Sequence, residues 1–247
     1  MKTFPEWFTR NRVLNRGYRY IADLFPSLLF WMFGEKTTAL TRLGSGYGGW
    51  HVPVAELNKD SIIYSAGIGV DVTFDEAVIA ATGCQVFGFD PTPFAIEFIA
   101  TREASAAFKQ RFSFSPVGLW DSETVLTFFA PRTRGWVGSF SALNLQGTGD
   151  QDAVRAPVER LSQIMKRLGH KRLDVLKMDI EGAEYRTIDN LISQRLDIRW
   201  LCIEFDQPVP IWTTISAIRA LRTAGYQLCN VEKWNFVFRR VGAHVSA

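Results

Sequence analysis

Apolar and polar positions along this chain switch between two spacings, and the switching predicts its elements. Short runs rich in β-branched and aromatic residues, at Ile62 to Ser65, Val86 to Phe89, Phe112 to Val117, Val175 to Met178 and Trp200 to Phe205, predict strands. Between them, apolar residues recur every three to four positions and predict helices over Thr73 to Thr82, Phe94 to Ala107, Val158 to Leu168 and Tyr185 to Ile192. Gly83 and Gly169 stand where helix C-termini take a left-handed residue. Strand and helix in alternation predict an α/β fold with a Rossmann-like, doubly wound, mostly parallel sheet. A last helix, roughly Thr213 to Thr223, stops before Gly225, and the runs Tyr226 to Val231 and Asn235 to Arg239 lie close enough to form a C-terminal antiparallel hairpin. Between Thr124 and Gln146 the alternation, Pro131 and glycines predict an inserted hairpin or a loop at a cleft edge.

The first strand breaks into Gly67-Ile68-Gly69 and then a helix. Neither glycine has a Cβ, so bare backbone can approach a ligand there. The next strand delivers Asp90 roughly 20 residues past those glycines, a spacing at which an acid accepts hydrogen bonds from ribose hydroxyls. Together these features predict a nucleoside-binding crevice. A dinucleotide site would want Gly or Ala at position 72, under a pyrophosphate; the chain has Val72, preceded by Asp71, whose carboxylate would repel phosphate. S-adenosylmethionine carries ribose and adenine without phosphate, and its ammonium and sulfonium suit Asp71 and Asp75. The same acids also fit a helix N-terminus, with Asp71 or Thr73 as cap and Thr73-x-x-Glu76 in capping-box form.

Ligands in open α/β sheets bind past the carboxyl ends of the strands, where Lys177, Asp179 and Glu181 fall. If the strand stays extended through Glu181, the three share a face before Gly182 turns the chain. Asp179 is the expected contact to a substrate hydroxyl, drawing away its proton while binding aligns the reactants; Lys177 is expected to orient a neighbouring carboxylate or lower its pKa. Glu204 and Asp206 end the next strand and, with Asp179, could compose an oxygen-rich divalent site, although no metal is assigned.

Three blocks of residues carry a family resemblance. Tyr64-Ser65-Ala66-Gly67-Ile68-Gly69-Val70-Asp71-Val72-Thr73-Phe74-Asp75, then Phe87-Gly88-Phe89-Asp90-Pro91-Thr92-Pro93, then Leu173-Asp174-Val175-Leu176-Lys177-Met178-Asp179-Ile180-Glu181-Gly182-Ala183-Glu184 resemble the signature blocks of FkbM-type, class I S-adenosylmethionine-dependent methyltransferases. The resemblance runs from about Gly48 to about Arg240. It implies the class I methyltransferase fold, S-adenosyl-L-methionine as cofactor, and methylation of a hydroxyl, often on a sugar. It implies cofactor contacts at Ser65, Ala66, Gly67, Gly69, Asp71, Asp90 and Pro91, with the adenine edge at Gly118 and Leu119. One departure stands out: the family's usual acid two residues before the first glycine is Ser65 here, which leaves Asp71 as the expected partner of the cofactor's ammonium.

Composition narrows the reading further. The 247 residues, 47% hydrophobic with 19 Phe and 8 Trp, suffice for one buried core, and with the resemblance they lead to the expectation of one methyltransferase domain over 48–247 preceded by a basic, aromatic arm over 1–47. A net charge of +3 without a basic stripe argues against a nucleic-acid partner. Cys84, Cys202 and Cys229 sit in apolar runs and predict buried thiols in a cytoplasmic protein. In the arm, Lys2, Arg10, Arg12, Arg16 and Arg19 precede an apolar stretch from Leu24 to Phe33 that Asp23 and Pro26 keep too short to span a bilayer. It is expected to pack on the domain or to lie in a membrane interface. Trp50 and His51 could line the substrate cleft, whereas His170 and His244 are expected in solvent. Two other classes share the crevice: an NAD or nucleotide-sugar oxidoreductase, which would favour glycine at 72 and a proton relay such as Tyr-x-x-x-Lys, and a catalytically silent cofactor-binding module, which would lack the acids at 179 and 181.

Overall fold

The computed structural model describes residues 24–35, 39–129, 140–142, 153–205 and 209–241. Along the chain run helix α1 (24–33), β1 (Thr41–Leu43), β2 (Trp50–Val52), a 3-10 turn (Val54–Glu56), β3 (Ile62–Ala66), α2 (Thr73–Thr82) and β4 (Gln85–Phe89). Then come α3 (Pro93–Thr101), α4 (Ala106–Arg111), β5 (Phe112–Ser115), β6 (Gly118–Trp120), β7 (Thr124–Phe128) and β8 (Val154–Arg160). The last elements are α5 (Leu161–Leu168), β9 (Leu173–Met178), α6 (Glu184–Ser193), β10 (Ile198–Glu204), α7 (Ile211–Thr223), β11 (Tyr226–Glu232) and β12 (Asn235–Arg240).

Seven strands form the central sheet in the order β11-β12-β10-β9-β3-β4-β5. The five from β10 to β5 are parallel, and the terminal hairpin closes the edge antiparallel against β10. All six residues of β9 are buried, as expected of a central parallel strand covered on both faces. Reversal of the chain's direction of travel between β3 and β9 makes the topological switch point, and the crevice opens at the carboxyl ends of these two strands. This is the doubly wound α/β architecture that the alternation of strand and helix predicts. Tyr64, Phe89, Leu176, Met178 and Phe236 belong to the core on one face of the sheet; Ile63, Val86, Val175 and Trp200 belong to that on the other.

Several boundaries depart from the sequence expectation. The helix anticipated from Phe94 to Ala107 is two helices, because Ser105 accepts a hydrogen bond from the Phe108 amide and starts a new N-terminus. The run from Phe112 stops as a sheet strand at Ser115, and Gly118–Trp120 joins a separate three-stranded sheet ordered β6-β8-β7. The segment from Val158, expected as helix, is strand as far as Arg160, since Ala156 and Val158 alternate inward against β6 and β7. Of the insertion anticipated between Thr124 and Gln146, β7 pairs with β8; residues 130–139 and 143–150 lie outside the described residues.

The described part of the N-terminal segment lies on the domain. Leu29 is 2% exposed within the main core, Phe33 faces Arg219 and Arg222 of α7, and Gly34 bridges to Leu228. Residues 1–23, with their five basic side chains, lie outside the described residues. No helix among the described residues is long and apolar enough to cross a membrane. The three cysteines are buried and outside any disulfide.

Candidate active site

The turn after β3 is shaped by what lies behind it. At Gly67, φ is 81°, and a Cβ would stand 1.6 Å from the Asp179 carbonyl oxygen, so two strand ends meet there with no space for a side chain. The Asp179 amide donates to the Ala66 carbonyl at 3.1 Å, and the Gly67 amide to Phe89 at 2.9 Å, which ties the ends of β3, β4 and β9 together. Gly69 also has a positive φ, 53°, but a Cβ there would meet nothing within 4 Å. Its side faces the cleft, which is open to solvent.

Ten of the twelve residues expected from the sequence line this cleft: Gly67, Gly69, Asp71, Asp90, Pro91, Gly118, Leu119, Lys177, Asp179 and Glu181. Ser65 and Ala66 do not; both are fully buried, one layer beneath the turn. Glycine at 118 lets Pro91 and Val158 close in, since a Cβ would lie 3.1 Å from each.

Asp90 is 4% exposed and already accepts three hydrogen bonds, from the Gly69 amide at 2.8 Å, the Thr92 amide at 2.9 Å and the Thr92 hydroxyl at 2.6 Å. A carboxylate has about four acceptor positions, so room remains for one further hydroxyl rather than two. Burial pushes its pKa up, against the pull of those donors. Asp71 is committed differently. Its Oδ1 accepts the Thr73 amide and its Oδ2 the Ser45 hydroxyl, at 2.8 and 2.7 Å, fastening the turn before β2 onto the head of α2. Burial raises its pKa, but these donors and Lys177 outweigh that and leave it low. The capping box is not formed: Thr73 Oγ1 accepts the Ser45 amide, and Glu76 pairs with Arg102 at 2.6 Å.

Lys177, with a side chain 8% exposed, donates to the Gly67 carbonyl and stands 3.6 Å from Asp179 Oδ2. The expectation that extension persists through Glu181 is corrected: β9 ends at Met178, and Glu181 takes φ 54° in a turn. That turn is held by Glu184, whose carboxylate accepts the Ile180 and Gly182 amides at 2.8 Å each. It carries Glu181 back to the cleft, so Lys177, Asp179 and Glu181 converge by a route that period-two alternation does not describe. Glu184 was within a recognised block, but its bonds run backward to the preceding turn and leave no sequence signature.

Other residues reach the cleft unforeseen. Phe128 and Phe140 come from or beside the three-stranded sheet, and Tyr47 from the turn held by Asp71. Trp50 and His51 do not line it; Trp50 is 1% exposed in the core, and His51 stands 3.5 Å from Glu232. His170 is not simply solvated, since its Nδ1 lies 2.7 Å from the Tyr64 hydroxyl; burial lowers its pKa. Asp206 lies outside the described residues, and among those described no group of three His, Cys, Asp or Glu could hold a metal. Five carboxylates, those of Asp71, Asp75, Asp90, Asp179 and Glu181, face the cleft, with Lys177 the lone base among its described lining residues. Such a cleft favours a cationic ligand and opposes a phosphate.

Residues 44–228 match the model of the methyltransferase FkbM domain. The chain is similar to human probable methyltransferase-like protein 24, 26% identical over 142 residues, and to its rat counterpart, 29% identical over 136. These alignments take in 56% and 55% of this chain but only 30% of either relative, so the chain spans less than a third of their length. Among solved structures, the METTL16 methyltransferase domain is similar at a TM-score of 0.47 and 9% identity, covering 76% of this chain and 62% of that one. Aeropyrum pernix fibrillarin with natively bound S-adenosyl-L-methionine is similar at 0.43 and 10%, covering 84% and 85%. The family match extends across both glycines of the turn, Asp90 and the Lys177 to Glu184 block, and the chain belongs to the FkbM methyltransferase domain family.

Proposed function

We propose that this chain is an S-adenosyl-L-methionine-dependent methyltransferase that methylates a hydroxyl, on a sugar or glycan. The observation that carries the reading is the Cβ-free turn at Gly67 and Gly69, set in a cleft lined by five carboxylates and fixed to Asp90. The lining fits the cofactor. Asp90 retains one acceptor position for a ribose hydroxyl, Phe89 and Leu119 offer apolar surface to an adenine ring, and the surplus of acid suits the two positive charges. A dinucleotide would instead set its diphosphate against those acids, which disfavours the oxidoreductase reading.

When bound, the cofactor supplies an electrophilic methyl group. The chain's own residues then have three tasks. The Gly67 turn and Asp90 fix the adenosyl end. Lys177 holds the strand end by its bond to the Gly67 carbonyl and keeps its ammonium 3.6 Å from Asp179. Asp179, about a third exposed, accepts the acceptor's hydroxyl proton as the oxygen gains the methyl group, with Glu181 beside it for a neighbouring hydroxyl. Phe128 and Phe140 line the same cleft, and Phe94 lies 5.4 Å from Phe140 between ring centroids, an aromatic wall that suits the apolar face of a sugar ring.

The test is incubation with isotopically labelled methyl donor and fractionated glycans, with the labelled product identified by mass spectrometry. Methyl ether on a sugar is the expected product, and Asp179→Asn is expected to cut turnover at least tenfold while leaving donor affinity nearly unchanged. Label on nitrogen, or unaltered turnover in the variant, overturns the hydroxyl reading. The reading also includes a place of work: Leu24, Leu28, Trp31 and Met32 form one exposed apolar face of α1, suited to lying in a membrane interface.

A further inference from the structure

Of the five carboxylates in the cleft, Asp75 is the one that its surroundings leave incomplete. It lines the cleft yet is 2% exposed, and its Oδ1 is buried without a hydrogen-bond partner. The Ser65 hydroxyl at the end of β3 is likewise buried and unpartnered; it lies near enough to stabilise the Asp75 carboxylate, but the two make no hydrogen bond of ordinary geometry. Lys177, whose backbone is the register partner of Ser65, is the fixed cation acting on Asp75. Its ammonium is spent on the Gly67 carbonyl and on Asp179 at 3.6 Å. An unpartnered buried carboxylate oxygen costs free energy that a cation entering from the cleft would recover. Asp71 cannot take that part as well, because both of its oxygens hold the Ser45 and Thr73 donors that fasten the turn.

Resting on the methyl-donor reading above, we propose that Asp75, in place of Asp71, receives the α-ammonium of the donor's amino-acid end, with Ser65 vacating the strand end so that the carboxylate enters from α2. The arrangement places in the first turn of α2 the carboxylate that the family resemblance leads one to expect at position 65 on β3, and it makes the acid at 75 a determinant of affinity for amino-acid-bearing ligands alone. Burial supports this: it pushes the Asp75 pKa up to about 6, with Lys177 and Ser65 pulling down and Asp71 pushing further up, so the site holds its negative charge at neutral pH only narrowly. A ligand ammonium would stabilise that charge, and binding of the amino-acid end should weaken as the solution is acidified below about 6.

The test compares two neutral thioethers that share adenine and ribose, S-adenosylhomocysteine, which has the amino-acid end, and 5′-methylthioadenosine, which lacks it. Affinities for both are measured by calorimetry on the full chain, for wild type, Asp75→Asn, Asp75→Ser and the double variant Ser65→Asp/Asp75→Ser, after a thermal melt has shown each to be folded. Asp75→Asn and Asp75→Ser are expected to lose about tenfold to a hundredfold for S-adenosylhomocysteine, the scale of one charge-assisted hydrogen bond, and less than twofold for methylthioadenosine. Returning the carboxylate to position 65 is expected to recover most of the loss. Equal losses for the two ligands, or unchanged S-adenosylhomocysteine affinity in both single variants, overturn the assignment of Asp75 while leaving the methyltransferase reading in place. A wild-type chain that binds neither thioether overturns that reading and this assignment with it.

Discussion

Gly67 and Gly69 share a left-handed backbone for different reasons, and single substitutions separate them. A Cβ at 67 would occupy the Asp179 carbonyl, whereas one at 69 would project into the cleft. Gly67→Ala is therefore expected to cost ~3 kcal/mol or more, seen as a large drop in the denaturation midpoint. Gly69→Ala is expected to cost only the ~1–2 kcal/mol of left-handed strain and to act instead on ligand affinity. Comparable destabilisation by the two variants would contradict the close approach at 67. Asp75 presents the opposite balance, a residue that weakens the fold where it stands. Its folded pKa of about 6 lies above the ordinary 3.8, so the folded chain binds the proton more tightly than the unfolded one and stability falls as pH rises from about 4 to 6. That rise corresponds to ~3 kcal/mol as an upper bound. Asp75→Asn is expected to melt higher than wild type at pH 7 and to match it below about pH 4, and denaturation across that range checks both ends. Nothing in the residue order tells Asp71 from Asp75. Both are acids at the head of one helix, and they differ through Ser45, far back in the chain, which claims the first and leaves the second.

Elements were legible where one periodicity ruled, and the exceptions have local causes. Strands β3, β4, β9 and β10 sit within a residue or two of the expected runs because each is apolar and bounded by turn residues. The stretch at Val158 departs from its expected helix because Leu161, Ile164 and Met165 give a helical spacing that extends one apolar residue backward into a strand; only β6 and β7, pairing on either side, decide the matter. The turn from Asp179 to Ala183 is another such case. Glu184 satisfies two of its amides from the first position of α6, 2% exposed, and so determines where Glu181 points. Glu184→Ala is expected to cost ~2–4 kcal/mol, since two amides lose their acceptor, and to lower turnover more than donor affinity; Glu184→Gln, which keeps one acceptor, should lose less on both. Chemical denaturation and steady-state kinetics on the same preparations check this, and an unchanged kcat in the alanine variant would show that the turn holds without it.

At the scale of the molecule, charge is distributed in a way that the net value of +3 conceals: the cleft collects carboxylates, while Leu24, Leu28, Trp31 and Met32 leave an uncharged apolar face exposed on α1. That face gives a test of placement. Wild type is expected to cosediment with vesicles containing phosphatidylserine, less so at high salt, and Leu28→Ser/Trp31→Ser is expected to lose most of that binding without altering the melting curve; equal sedimentation of the two would exclude α1 as the contact. The alternation of strand and helix, the two glycines and the acid after β4 were all written in short stretches of chain, because backbone freedom and burial periodicity are local properties. Sequence alone therefore determined the doubly wound sheet and the location of its crevice. Tertiary structure decided which acids in that crevice remain open to a ligand. A carboxylate is free or committed according to donors that approach from elsewhere: Ser45 reaches Asp71 across 26 residues, and Lys177 reaches the Gly67 carbonyl across 110, distances in sequence that only folding removes.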